Sequence, residues 1–69
     1  MADMTQHIAT KLKLVRQKAG LTQVEVAKKA NINEKYYPKL ERAESTPSLK
    51  TLEKITKALK AHSSDILPF

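Results

Sequence analysis

The 69-residue chain has no cysteine and no tryptophan, and only one glycine, three prolines, two tyrosines and one phenylalanine. Without cysteine it can build neither a disulfide framework nor a thiolate zinc site. With aromatic residues at 4% the core must be aliphatic. A single glycine rules out a phosphate-cradling glycine loop. No apolar run approaches the roughly 20 residues of a membrane span. The first ten residues, MADMTQHIAT, lack the basic-then-apolar design of a secretion signal, so the expected location is the cytoplasm. No segment alternates apolar and polar residues as a half-buried strand does, which leaves an all-α reading.

What remains is a short chain rich in Lys, Leu, Ala and Glu. Its length allows one domain with a small core, residues 1–69. Lys and Arg outnumber Asp and Glu by 13 to 7, a formal net charge of +6, which favours an anionic partner. Many soluble proteins are basic, so the charge carries weight only together with where the cations fall.

Helical periodicity places a first helix over residues 5–18, with Ile8, Leu12, Val15 and Ala19 as its buried stripe and Gly20 as its stop. Thr22 is a good N-cap for a second helix, over residues 22–30, with Asn31 in the turn. Asn33 can cap a third helix over residues 33–42. Residues 44–47 form a polar loop, and Ser48 caps a fourth helix that buries Leu49, Leu52, Ile55 and Leu59. Ser63 or Ser64 can cap a short last turn with Ile66 and Leu67, closed by Pro68. The expected architecture is a compact bundle of four helices plus a short fifth.

On a helical wheel the third helix has two faces. Tyr37 and Leu40 fall together and face the core with Ile32. Lys35, Lys39 and Arg42 form a basic stripe on the opposite side. Such a stripe suits contact with phosphates and bases, and it equally suits an ordinary solvated face. Glu41 lies beside the core stripe, where an unpaired charge would be costly.

Residues 21–43 also resemble the helix-turn-helix of the lambdoid-repressor and Cro family, the XRE type. Leu21-Thr22-Gln23 resembles the opening of the family's second helix, Val26-Ala27 its apolar-small pair, and Leu40-Glu41-Arg42 the end of its recognition helix. Pro47-Ser48-Leu49 with Thr51-Leu52 resembles the start of the fourth helix, and Ser64-Asp65-Ile66-Leu67 the fifth. The resemblance covers residues 8–67, nearly the whole chain. It implies a sequence-specific transcriptional regulator of double-stranded DNA whose third helix enters the major groove.

Carried over position by position, the resemblance assigns base contact to Asn33, Glu34, Lys35 and Tyr36, with Lys39 one turn on. Lys35 would donate to guanine O6 and N7. Glu34 has two readings: acceptor for a cytosine amino group, or a carboxylate favoured by a helix N-terminus. Tyr36 also has two: contact with a thymine methyl or phosphate, or a partly buried ring. Gln23, Arg42, Ser45 and Lys50 are phosphate candidates that position without specifying sequence. The resemblance further implies an ion pair between Arg16 and Glu41 that locks the third helix to the scaffold.

The chain departs from the family pattern at three places. Pro38 lies inside the third helix, where it removes the bond to the Glu34 carbonyl and is expected to kink the helix or loosen its first turn. Asn31 and Ala43 stand where the family has glycine. Asn tolerates left-handed geometry; Ala43 forces a different exit or costs about 1 kcal/mol.

Rival functions read less well. His7 and His62 are isolated, no carboxylate constellation suggests catalysis, and neither a metal nor a cofactor is expected. The apolar faces of the first and fourth helices are needed for the core, which leaves none for a membrane surface. The alternative that keeps the fold is a protein-binding module such as an antitoxin, gripping a partner through Leu14 and the tail Ile66, Leu67 and Phe69; the same residues also suit simple core closure or dimerisation. For the DNA reader a homodimer on a palindromic operator is expected, joined around Ile66 and Phe69.

Overall fold

The computed structural model describes residues 4–61, 65 and 66. Four helices follow one another, α1 (Met4–Lys18), α2 (Gln23–Ala30), α3 (Tyr37–Glu41) and α4 (Leu49–Leu59), with no strand among the described residues. α2 packs on α4, and α3 sits against both α1 and α2. Each helix contributes residues at helical spacing to one core, aliphatic except for Tyr37. These are Ile8 and Leu12 from α1, Val26, Ala27 and Ala30 from α2, Tyr37 and Leu40 from α3, and Leu52, Ile55 and Leu59 from α4.

The α1 stripe ends at Val15, because Ala19 lies exposed in the turn beyond the helix. Leu49, expected inside, is 79% exposed. It occupies the first position of α4, and the buried stripe begins one turn later at Leu52. Ile66 is fully buried and belongs to this core. It is therefore not free to form part of a contact patch or dimer interface. Asp65 and Ile66 lie in a short turn. The remainder of the expected fifth helix, with Ser63, Ser64 and Leu67, and the tail to Phe69 lie outside the described residues.

Side-chain caps fix two helix starts. Thr22 and Glu25 form a reciprocal box at α2: the Glu25 amide donates to Thr22 Oγ1 (3.1 Å) and the Thr22 amide to Glu25 Oε1 (2.8 Å). At α4 the Thr51 amide donates to Ser48 Oγ (3.1 Å).

All four helices stop the same way. The residues Gly20, Asn31, Ala43 and Lys60 take left-handed backbone, with φ of 71°, 57°, 60° and 55°. The amide after each bonds back five residues: Leu21 to Arg16, Ile32 to Ala27, Glu44 to Lys39 and Ala61 to Thr56, at 2.9–3.2 Å. A chain with one glycine thus makes four glycine-type stops. Ala43 does not force a different exit; it adopts the strained one. Replacing it with glycine relieves a left-handed alanine, a strain of roughly 1–2 kcal/mol, against the entropy glycine adds to the unfolded chain. Ala43→Gly is therefore expected to raise stability by about 1 kcal/mol in urea titrations; a lower midpoint would show that Ala43 is not strained.

Candidate nucleic-acid interface

The segment from Asn33 to Arg42 departs from a single continuous helix. Residues 34–36 form a turn, and α3 proper begins at Tyr37. Pro38 is the physical reason. It has no amide to continue the ladder, and it falls in the first turn of α3, where none is needed. The turn is nonetheless held. The Asn33 carbonyl accepts from the Tyr36 and Tyr37 amides (3.0 and 3.2 Å), and the Asn33 side-chain oxygen accepts from the Lys35 amide (2.7 Å). Asn33 therefore caps this turn, while the residue at the start of α3, Tyr36, makes no side-chain cap.

Behind this segment lies a charged clamp. The Arg16 guanidinium donates through Nε to Glu41 Oε2 (2.6 Å), through Nη2 to Glu41 Oε1 (3.1 Å) and through Nη1 to the Leu21 carbonyl (2.8 Å). Gln23 Nε2 donates to the same Glu41 Oε1 (3.1 Å). The pair is largely withdrawn from water, with side-chain exposures of 13% for Arg16 and 3% for Glu41. Burial alone would raise the Glu41 pKa. The hydrogen bonds and charge of Arg16, helped by the nearby Tyr37 hydroxyl and by Gln23, overcome it and hold the carboxylate below its ordinary 4.5. The Arg16 pKa is raised, first by its hydrogen bonds to Glu41. The Tyr37 hydroxyl is buried beside Glu41 and Arg16 without completing a hydrogen bond to either. Burial pushes its pKa far up, and the Glu41 carboxylate pushes it further.

The front of the segment is open. Asn33, Glu34, Lys35, Lys39 and Arg42 are all exposed, and Tyr36 is half-buried against the core. These six expected site residues lie along one continuous stretch. Gln23 does not stand free at the start of α2: its amide is tied to Glu41, so its first role is to fasten α2 to α3. Ser45 lies past the end of α3 and lines a polar cleft with Thr5, Gln6, Glu44 and Thr46. Lys50 is exposed in the first turn of α4. Among the described residues no three His, Cys, Asp or Glu side chains converge as a metal would require.

One partner escaped the sequence reading. Arg42 is not a free cation, because its Nε and Nη2 both donate to the Glu44 carboxylate. That hydrogen bonding lowers the Glu44 pKa and raises that of Arg42. The available signal was an acidic side chain two residues beyond a cation at a helix end.

Breaking the buried clamp from one side leaves an uncompensated charge, at a cost of about 3 kcal/mol. Glu41→Ala is expected to lower the melting temperature well beyond Glu44→Ala, whose pair is exposed. Equal melting temperatures would contradict the clamp. The pH dependence has a defined sign. Glu41 is held below its ordinary 4.5, so its contribution is complete above that value and fades as pH falls through the lower folded value. Glu25 and Glu44, also lowered, titrate in the same direction. Acidification from about pH 6 to pH 3 should therefore destabilise the wild type more than Glu41→Gln; parallel losses would show that Glu41 is not the coupled group.

Comparison with known proteins agrees with this architecture. Residues 12–66 match the helix-turn-helix family HTH_3. The chain is 38% identical over 60 residues to an immunity repressor protein of Bacillus phage phi105, covering 87% of this chain and 42% of that protein. It thus spans less than half the length of that relative. Among solved structures, a hypothetical transcription factor, NHTF, from Neisseria superposes with a TM-score of 0.89 at 26% identity, over 94% of this chain and 75% of that one. The restriction-modification controller protein C.AhdI from Aeromonas hydrophila superposes with a TM-score of 0.87 over 91% and 96% of the two chains; at 22% identity it supports the fold alone.

Proposed function

The chain belongs to the helix-turn-helix family HTH_3, and we propose that it is a sequence-specific, double-stranded DNA-binding transcriptional regulator. The observation that carries this is the placement of cations. Lys35 and Lys39 stand exposed on a short element that Arg16 and Glu41 fasten from behind. A fixed backbone with cations in front can present donors to base edges at a set register. A floppy basic segment would bind phosphates alone.

In this reading the turn at residues 33–36 and the start of α3 enter the major groove. Lys35 donates to guanine O6 and N7. Asn33 uses one lone pair of its side-chain oxygen to hold the turn, which leaves its two amide donors for a base. Glu34 accepts from a cytosine amino group, and Tyr36 offers its exposed edge to a thymine methyl or a phosphate. Lys39 and Lys50 meet phosphates, and Ser45 contacts the backbone near the exit of α3. Gln23 offers phosphate the second N–H of its side-chain amide, the first being bonded to Glu41.

One such domain covers a half-site, so a two-fold homodimer on a palindromic operator is part of the proposal. Its interface excludes the side chain of Ile66, which is spent on the core. No helix among the described residues is long and apolar enough to cross a membrane. The proposed site of action is the cytoplasm, without enzymatic activity or cofactor.

The test begins with selection of binding sites from random DNA. Lys35→Ala is then titrated against the selected and scrambled duplexes at several salt concentrations. Binding to the selected site should weaken by roughly 1–3 kcal/mol, and preference should relax at one base position. An unchanged preference would remove Lys35 from base readout. Failure of the wild type to bind any duplex, with salt-insensitive capture of a protein partner, would favour the antitoxin-like alternative.

A further inference from the structure

The four helix ends share one backbone design, and three share a further feature. The residue after the left-handed position is apolar at Leu21, Ile32 and Ala61, and each packs against the core. Apolar contact at this position is the usual companion of such a stop. The fourth is Glu44, which is exposed. The stop does not require a carboxylate, yet it fixes where this one sits: the Glu44 amide is bonded to the Lys39 carbonyl (2.9 Å). From that anchor both carboxylate oxygens reach the Arg42 guanidinium, at Nε and Nη2. The charge of Lys39 acts on the same carboxylate.

Stability does not account for this arrangement. Both side chains are about half exposed, at 55% and 50%, and exposed pairs contribute little. The chemistry of the contact is more telling. A carboxylate offers a guanidinium fork the same two parallel acceptors that a phosphate offers. The carboxylate is placed on one of the three outward cations of the 33–42 segment and beside a second.

Resting on the DNA-binding reading above, we infer that Glu44 is an internal phosphate surrogate: it occupies Arg42 and withholds that cation from the DNA backbone. The Arg42–Glu44 pair then presents no net charge to DNA, and Arg42 displaces no counterions. Affinity for every sequence is lowered by the same factor, while the discrimination carried by Lys35 is untouched. Glu44 is thus a setting for overall affinity rather than a reader of sequence.

The experiment is a double-mutant cycle on DNA. Wild type, E44Q, R42A and the double variant R42A/E44Q are titrated against a selected and a scrambled duplex over a range of salt, with melting curves to confirm folding. Both side chains are half exposed and outside the core, so all four proteins should fold. E44Q is expected to bind both duplexes about three- to tenfold more tightly, with a salt slope steeper by about one. The same substitution made on R42A should gain distinctly less, because only a repulsive charge is removed and no cation is released. An equal gain with and without Arg42 would overturn the inference and leave Glu44 a plain repulsive charge. Wild-type binding that E44Q leaves unchanged would overturn it while sparing the DNA-binding reading. Absence of binding by wild type and E44Q alike would overturn both.

Discussion

Arg16 leaves the last turn of α1 and meets Glu41 at the end of α3, away from most solvent. Much of the remaining structure depends on that contact. α3 has five residues, and its second, Pro38, has no amide to give. Isolated helices much longer than this are marginal in water, so α3 must be held by tertiary contacts. Tyr37 and Leu40 supply the apolar part by burial. The Glu41 carboxylate supplies the directional part, taking bonds from Arg16 of α1 and Gln23 of α2. Arg16 also holds the Leu21 carbonyl in the α1–α2 turn. Three helices and one turn therefore converge on a single ion pair, and a planar guanidinium with fixed forks suits that task better than an ammonium would.

The chain assigns its positive charge three fates along this region. Arg16 is turned inward and spent on the scaffold. Lys35 and Lys39 are exposed in front. Arg42 is exposed but held by Glu44. Composition records all four residues as equal contributors to a net charge of +6. Placement separates them. Where a partner feels local potential, the usable charge of the 33–42 segment is smaller than the count of its cations.

Much of this was legible in the sequence. The helices announced themselves through apolar spacing, and Thr22, Ser48, Gly20 and Asn31 marked their ends by residue chemistry. Glu41 beside an apolar stripe called for a buried partner, and the family resemblance supplied Arg16. The reading failed where tertiary context decides. Apolar spacing put Leu49 in the α4 stripe, but periodicity does not say where the neighbouring elements stop covering a helix. It extended the third helix back to Asn33, although a proline that breaks a helix mid-way also begins one well. The bond from Gln23 to Glu41 had no local signal, because the two residues lie eighteen apart in sequence. Glu25 completes a capping box with Thr22 at the three-residue spacing typical of one. Ile66 suited a contact patch and core closure equally in sequence, because nothing local marks a single side chain as the last piece of a core; the structure places it in the core.

The central claim is that the Arg16–Glu41 clamp specifically fastens the element carrying the exposed cations. Amide hydrogen exchange on wild type and Arg16→Lys tests it most directly, since lysine keeps the charge and loses the fork. The informative amides are those of Lys39, Arg42 and Glu44, whose acceptors lie in or beside α3. The account predicts that these lose protection in the variant while Leu52 and Ile55 of α4 keep theirs, because α3 opens before the core does. Uniform loss across all helices, or unchanged protection in α3, would contradict it.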